Sequence, residues 1–222
     1  MIHLAIFDID GTIVDSVDLH AKAWQQAFAK FGKEISFASI RKQIGKGADQ
    51  LLPVFFSPAE LDRFGPELEK HRSELFKREY LPRVKAFPKV RELFLRIKAE
   101  DKLIALASSA KQDELDVYKS IAKIEDLVET ETSSEDVEKS KPHSDVFAEV
   151  LARFQAIAFN EAIVVGDTPY DMQAAKKLRL STVGFLSGGW SAEQLKQAGC
   201  RVIYNDPADL LESYDQSPIA SK

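Results

Sequence analysis

The chain contains very little cysteine and no long apolar segment. Cys200 is the only cysteine among 222 residues, which excludes an intrachain disulfide and makes a reducing, cytoplasmic setting the expectation. No stretch approaches the roughly 18 apolar residues of a membrane-spanning helix. The apolar run at residues 2–7 is also too short for the core of a signal peptide.

An excess of positive charge is lacking as well. The formal net charge is -5, which argues against nucleic acid or an anionic membrane as the main partner. The sequence shows no internal repeat, and its polar residues 216–222 are expected to fray. With 45% hydrophobic residues, the chain can bury one sizeable core and a small accessory domain.

The most informative segment is DIDGTI at residues 8–13, directly after the apolar run. Alternate side chains of a strand point the same way, so Asp8 and Asp10 reach the strand end together before Gly11 turns the chain. Two neighbouring carboxylates repel, and burying them is costly unless a cation or a shared proton compensates. The pattern predicts a divalent metal, an acid/base pair, or both, although it could also simply cap a turn.

Three further segments end predicted strands or precede helices with residues suited to phosphate chemistry. They are LIALASS at residues 103–109, KSKP at residues 139–142 and IVVGDTPYD at residues 163–171. Each has a plain alternative: Lys141 as a solvated loop lysine, Asp171 as a helix-capping residue, and Ser108 and Ser109 as turn formers. Because all of them coincide in order at strand ends, a shared site is the better hypothesis.

Short apolar strands alternate with helical patterns, which predicts an α/β fold with a Rossmann-like, doubly wound parallel sheet. Strands are predicted at residues 4–8, 103–108, 127–129, 162–166, 182–184 and 202–203, and helices at residues 88–100, 112–121, 144–154, 169–178, 192–197 and 208–213. Residues 15–84 instead show consecutive amphipathic helices, at 18–31, 37–44 and 58–80. We predict a core of residues 1–14 and 85–222 with an inserted α-helical cap domain of residues 15–84, hinged at 14–17 and 83–87. The cap would cover a site at the carboxyl ends of the strands.

Taken in order, the four segments resemble the four motifs of the haloacid dehalogenase superfamily. The chain is similar over nearly its whole length to the helical-capped phosphatase branch, within which it looks most like the phosphoglycolate phosphatase and β-phosphoglucomutase group. This resemblance implies Mg²⁺-dependent hydrolysis of a small phosphorylated metabolite through an aspartyl phosphate. Dehalogenases and phosphonatases of the superfamily lack an aspartate at the position of Asp10, so its presence favours phosphoester hydrolysis.

The resemblance also implies roles for the motif residues. Asp8 would be the nucleophile, and Asp10 the general acid and base, oriented by Thr12. Ser108 would bind the phosphoryl group, and Lys141 would neutralise the charge that develops on it. The expected metal site uses oxygens of four aspartates, with Asp10 contributing its backbone carbonyl: Asp8, Asp10, Asp167 and Asp171.

Substrate binding is expected from both the core and the cap. Gly11 and Ser109 would lie beside the phosphoryl group. His20 and Trp24 share one face of a cap helix and resemble residues of the β-phosphoglucomutase site, although Trp24 could only pack the cap and His20 could be exposed. Lys46 lies in a glycine-flanked loop that could reach the substrate.

Two other functions stay open. A sugar-phosphate mutase of the β-phosphoglucomutase type would regrip a bisphosphate, but the mutase pattern has an arginine in the loop where this chain has Ala48 or Asp49. A phosphate-binding regulatory protein with vestigial catalysis would not need both Asp8 and Asp10. Hydrolysis is therefore the leading hypothesis, and a monomer or weak dimer is expected.

Overall fold

A parallel sheet of six strands forms the centre of the protein, for which the computed structural model describes residues 1–220. The strands in chain order are β1 (Leu4–Phe7), β2 (Val14–Asp15), β3 (Lys85–Ala86), β4 (Leu103–Ala107), β5 (Thr130–Thr132), β6 (Ala162–Gly166), β7 (Ser181–Phe185) and β8 (Val202–Tyr204). The sheet has the order β5-β4-β1-β6-β7-β8, and every neighbouring pair is parallel. The doubly wound architecture predicted from the sequence is confirmed.

Helices cover both faces of this sheet. They are α5 (Val90–Lys98), α6 (Gln112–Ala122), α7 (Asp145–Arg153), α8 (Pro169–Lys177), α9 (Ala192–Ala198) and α10 (Pro207–Glu212). Strand β1 shows why its sequence is continuously apolar: Ala5 and Phe7 pack with α5 and α6 on one face, whereas Leu4 and Ile6 pack with α7 and α8 on the other. A strand buried on both faces has no polar side to present to solvent.

A group of helices lies between β2 and β3, and we call residues 17–83 the helical insertion. It contains α1 (Val17–Lys30), α2 (Phe37–Arg41), α3 (Ala48–Leu51) and α4 (Pro58–Leu75), which continues into a π-helical turn at Phe76–Tyr80. Strands β2 and β3 pair antiparallel, with Val14 opposite Ala86. The two connections to the insertion therefore run side by side, and the predicted division into core and cap stays a prediction.

Three local predictions are wrong. The edge strand was expected at residues 127–129 but begins at Thr130, because Leu127 turns into the core and the ladder with β4 starts one residue after Glu129. Helix α5 begins at Val90 instead of Pro88, because Lys89 adopts a left-handed conformation with φ 67°. The tail does not fray up to residue 220: Ile219 is buried and its carbonyl accepts a hydrogen bond from Lys102. Residues 221 and 222 lie outside the described residues.

No helix within residues 1–220 is long and apolar enough to cross a lipid bilayer.

Replacing Phe28 with alanine should destabilise the helical insertion. Phe28 is fully buried there, with ring centroids 5.5 Å from Trp24 and 5.0 Å from Phe56, so its loss leaves a cavity. We expect the free energy of unfolding to fall by about 3–5 kcal/mol in urea titrations. Phe159, which is 51% exposed, is the matched control and should cost less than about 1 kcal/mol. Equal losses at both positions would contradict this account of the packing.

Candidate active site

Three neighbouring strands deliver polar residues to one edge of the sheet. Asp8 follows β1, Ser108 follows β4 and Asp167 follows β6, and β1 lies between the other two strands. Because parallel strands end at the same edge, residues that are far apart in sequence meet at the crevice beyond the carboxyl ends. Asp8 and Asp167 are 5% and 0% exposed, respectively.

Lys141 is completely buried and joins this group. Its Nζ donates hydrogen bonds to Asp8 Oδ1 and, at 2.9 Å, to the carbonyl of Ala107, and it forms an ion pair with Asp171 Oδ1 at 2.8 Å. Burial would lower the pKa of Lys141, but the charges of Asp171 and Asp8 outweigh this and hold it above its ordinary value. Lys141 is therefore a fixed cation, and the alternative of a solvated loop lysine is wrong.

The carboxylates of Asp8, Asp167 and Asp171 could together hold a metal ion. One oxygen from each lies within 4.8 Å of the others. Asp167 Oδ2 is buried without a hydrogen-bond partner among residues 1–220, and side chains added at Gly11 or Gly188 would overlap the Asp167 carboxylate. An all-oxygen donor set with one uncompensated buried oxygen fits a hard divalent cation.

The electrostatics of Asp8 and Asp167 support this fit. Burial raises the pKa of Asp8 to about 7, against the lowering effect of Lys141 and with further raising by Asp171 and Asp10. Burial also raises the pKa of Asp167 well above its ordinary value, and the neighbouring Asp8 and Asp171 add to this. An additional cation would therefore favour the ionised form of both groups.

Asp171 has a second role at the start of α8. Its Oδ2 accepts hydrogen bonds from Thr168 Oγ1 at 2.6 Å and Thr168 N at 3.1 Å, while the Asp171 N–H donates to Thr168 Oγ1 at 3.2 Å. This is a capping box, so the helix-capping alternative for Asp171 holds alongside its contact with Lys141. This helix-capping contact fixes the Asp171 carboxylate toward Lys141.

The side chains of Thr12 and Asp10 differ from the expectation that Thr12 orients Asp10. Thr12 Oγ1 lies 3.2 Å from Asp8 Oδ2 and 3.0 Å from Asp167 Oδ1. Asp10 turns away from them, and its Oδ1 contacts Ser16 Oγ at 2.5 Å and His20 Nε2 at 2.8 Å. The Asp10 carboxylate is therefore outside the cluster of Asp8, Asp167 and Asp171, and the use of its backbone carbonyl for metal binding stays a prediction.

Asp10 and His20 form the side of the site that faces the insertion. Burial would raise the pKa of Asp10, but its interactions with His20 and Ser16 outweigh this and hold it below its ordinary value. The guanidinium of Arg72 donates to His20 Nδ1, so the hydrogen of the ring lies on Nε2, toward Asp10 and toward Tyr118 Oη at 3.1 Å. His20 is only 5% exposed, which excludes the exposed alternative.

Arg72 and Tyr118 were not predicted from the sequence. Arg72 lies four residues after Leu68 and four before Phe76, both of which are buried, so it interrupts the apolar stripe of its helix. Tyr118 is likewise on the buried face of α6. A charged or hydroxyl-bearing residue within an apolar stripe is the sequence signal that could have indicated Arg72 and Tyr118. The stripe alone, however, does not show which part of the protein that helix face contacts.

A cavity of about 280 Å³ extends from Asp8 and Asp10 between the core and the insertion. Its lining includes the remaining substrate-binding candidates from both regions: Ser109, His20, Trp24 and Lys46. Trp24 packs inside the insertion. It also lies under Arg72, whose guanidinium carbon is 5.0 Å from the ring centroid of Trp24. Lys46 Nζ contacts Gln43 Oε1 at 2.6 Å and lies 4.8 Å from the ring centroid of Tyr170.

The serines after β4 and the glycine after Asp10 also have defined places. Ser108 Oγ accepts a hydrogen bond from Ala110 N at 3.0 Å, as a turn former would, and its role in phosphate binding stays a prediction. Ser109 Oγ is buried without a partner among the described residues. Gly11 has φ 89°, a left-handed conformation that suits glycine at this turn.

One loop of the insertion binds the core next to Lys141. Ser140 Oγ accepts a hydrogen bond from Gly47 N at 2.9 Å and donates to Asp49 Oδ1, while Ser140 N donates to Asp49 Oδ2 at 3.1 Å. The carboxylate of Asp49, in the first turn of α3, therefore binds the protein itself, at a position where the mutase pattern is expected to have an arginine.

The profile of the haloacid dehalogenase-like hydrolase family matches residues 5–185 of this chain. The chain belongs to this family. The structure is similar to that of a hydrolase from Pseudomonas syringae, with a TM-score of 0.87 and 28% identity over 98% of this chain and 99% of the other. The predicted family and the predicted hydrolase class are confirmed.

Relatives of known name extend this similarity. A phosphorylated carbohydrates phosphatase from Thermotoga maritima is 24% identical over 93% of this chain and 95% of its own length. A phosphoglycolate phosphatase from Vibrio cholerae is 27% identical over 95% of this chain and 96% of its own length. The chain also spans 20% of the length of SUPPRESSOR OF QUENCHING 1, a chloroplastic protein of Arabidopsis thaliana, at 26% identity.

A divalent cation should stabilise the protein more at high pH than at low pH. Because the pKa of Asp8 is raised to about 7, folding without metal favours its protonated form, and this contribution is lost as the pH rises through that value. A bound cation favours the ionised carboxylates instead. We expect calorimetry to show a Tm increase with Mg²⁺ that is several degrees larger at about pH 8 than at about pH 5.

Asp167→Asn should remove most of this increase, since it replaces one carboxylate of the candidate metal site. Asp113→Asn, at a side chain that is 63% exposed, should retain it. A Tm increase that survives Asp167→Asn, or that does not depend on pH, would contradict a metal site at these carboxylates.

Proposed function

We propose that this protein is a Mg²⁺-dependent phosphatase that hydrolyses a small organic phosphate monoester through an aspartyl phosphate on Asp8. The observation that carries the proposal is the position of Asp8 at the bottom of the cavity, between the fixed cation of Lys141 and the carboxylate of Asp167. The relatives named as phosphatases of phosphorylated carbohydrates and of phosphoglycolate support it.

The reaction has two displacements at phosphorus. In the first, a carboxylate oxygen of Asp8 attacks, the bond from phosphorus to the ester oxygen breaks, and Asp10 gives the leaving alcohol its proton. In the second, Asp10 takes a proton from water, the water oxygen attacks phosphorus, and the bond to Asp8 breaks to release inorganic phosphate. The low pKa of Asp10 suits the second displacement, and the first requires that its contacts with His20 and Ser16 loosen.

Other residues of the site bind and neutralise the phosphoryl group. Lys141 is already held against Asp8 and would offset the negative charge that concentrates there. Ser108 would donate a hydrogen bond to a phosphoryl oxygen. Asp8 and Asp167, with Asp171 adjacent, would hold Mg²⁺, which when bound supplies further charge compensation.

The helical insertion would act as a cap. Its residues His20 and Arg72 contact Asp10 and α6, and its loop contacts Ser140 beside Lys141, so closure would exclude water from the site. A small phosphorylated metabolite fits the cavity. We extend the proposal to a cytoplasmic protein that acts as a monomer or weak dimer, without nucleic acid or a membrane as partner.

Hydrolysis is better supported than mutase activity. A mutase would need a second group that grips phosphate, and the carboxylate of Asp49, which holds Ser140, repels phosphate instead. A regulatory protein without catalysis would leave the burial of Asp8 and Lys141 unexplained.

Substituting the two N-terminal aspartates should separate their roles. Asp8→Asn should abolish turnover and the acid-stable phosphoenzyme trapped by rapid quench, because an amide cannot attack phosphorus. Asp10→Asn should slow esters with poor leaving groups by about 10²-fold or more, while p-nitrophenyl phosphate, whose leaving group needs no proton, loses far less in its first step.

Asp18→Asn, an exposed aspartate of α1, serves as the control and should retain activity with both kinds of ester. Wild-type turnover by Asp8→Asn would exclude covalent catalysis through this residue. Loss of phosphatase activity on chelation, with recovery on adding Mg²⁺, is also required by the proposal.

A further inference from the structure

Glu114 is a buried carboxylate that the proposed reaction does not use. It lies in the first turn of α6, its side chain is 2% exposed, and it lines the cavity that begins at Asp8. Its Oε1 has no hydrogen-bond partner within residues 1–220, and the nearest cationic atom is Arg72 Nη1 at 3.9 Å. Leaving a buried carboxylate oxygen without a hydrogen bond is costly.

Arg72 cannot compensate this carboxylate fully, because it is held elsewhere. Its Nη2 donates to His20, and its guanidinium lies over the rings of Trp24 and Phe76, with 5.0 Å between the guanidinium carbon and each ring centroid. Arg72 Nε is itself buried without a hydrogen-bond acceptor among the described residues. The cavity wall therefore carries an unused acceptor and an unused donor close together.

Ser109 contributes a third unused polar group to the same cavity. Its hydroxyl is buried without a partner within residues 1–220, and it follows Ser108 at the end of β4. The three groups come from α4, α6 and the loop after β4, so no single element of secondary structure explains them. A hydroxyl group is the ligand that satisfies such a set, since it donates one hydrogen bond and accepts others.

We propose that Glu114, Arg72 and Ser109 form a subsite that selects an uncharged, hydroxylated leaving group, as in a polyol or sugar phosphate, over one that carries a carboxylate. This proposal rests on the proposed phosphatase function and adds the class of substrate. A hydroxyl of the leaving group donates to Glu114 and accepts from Arg72 or Ser109.

The charges around the cavity explain the rejection of a carboxylate. Besides Glu114, the lining contains the acidic residues Asp8, Asp10, Asp49, Glu69 and Glu138. Its cationic residues are Arg72, which is bound to His20, Lys46, which lies against Gln43 and Tyr170, and Lys111, which is exposed at the start of α6. The six acidic residues of the lining outnumber its three cationic residues, so a substrate carboxylate beside Glu114 would meet an excess of negative charge, and like charges at close range in a partly buried site repel strongly.

Three esters of matched size test the subsite with the Mg²⁺-loaded wild-type protein. Glycerol 3-phosphate carries hydroxyls, propyl phosphate carries none, and 3-phosphoglycerate carries a carboxylate. We expect kcat/KM to be at least about 10-fold higher for glycerol 3-phosphate than for propyl phosphate, and lowest for 3-phosphoglycerate. A wild-type preference for 3-phosphoglycerate, or equal rates for the first two esters, would overturn the proposal without any variant.

Glu114→Gln then identifies the residue responsible, because it removes the charge and keeps the shape. It should lower kcat/KM for glycerol 3-phosphate by about 10-fold. The ratio of kcat/KM for glycerol 3-phosphate to that for 3-phosphoglycerate should fall by at least as much. Asp116→Asn on the same helix, whose side chain is 61% exposed, is the matched control and should leave the order of the three esters unchanged. Equal losses on all three esters in Glu114→Gln would indicate a structural role and overturn the assignment.

Failure of the proposed function would look different. If the wild-type protein hydrolyses neither these esters nor p-nitrophenyl phosphate with Mg²⁺, the phosphatase proposal is wrong. Calorimetric binding of the same three esters would then decide the subsite separately: tighter binding of glycerol 3-phosphate than of the other two supports it, and tighter binding of 3-phosphoglycerate overturns it.

Discussion

The structure depends on the compensation of buried charge at the end of β1. Asp8, Asp167 and Asp171 meet in a region closed to solvent, and Lys141 is the cation that reaches two of them. Burial raises the pKa of Asp8 and Asp167, and the neighbouring carboxylates, which one ammonium does not fully offset, raise it further. A site with this imbalance could hold a cation, which under the proposed function would help to bind a phosphoryl group.

The secondary structure around the site keeps these groups apart from solvent and in fixed directions. Strands β4, β1 and β6 are buried on both faces, so their ends cannot shift without disturbing the core. Thr168 holds the Asp171 carboxylate toward Lys141 through the cap of α8. Asp171 thus combines local helix capping with long-range pairing to the charge of Lys141.

The insertion adds what the sheet cannot provide. It brings His20 and Arg72 to Asp10 from one side and Asp49 to Ser140 from the other, so both flanks of the cavity are made by contacts between distant segments. In the subsite that we propose, selectivity resides in groups left without partners after these contacts are made. Glu114 on α6 is one of them, and it belongs to the core and not to the insertion.

The sequence by itself determined the sheet, the order of the four motifs and the identity of the deepest residues, because buried parallel strands require continuous apolar runs and strand ends must then carry the polar groups. It did not locate β5 correctly, since an edge strand needs no apolar run. Tertiary structure alone decided that Asp10 turns to His20, and that Arg72 and Glu114 face the cavity. These outcomes depend on which helix faces meet across the cleft, and helical periodicity specifies a buried face without specifying its partner.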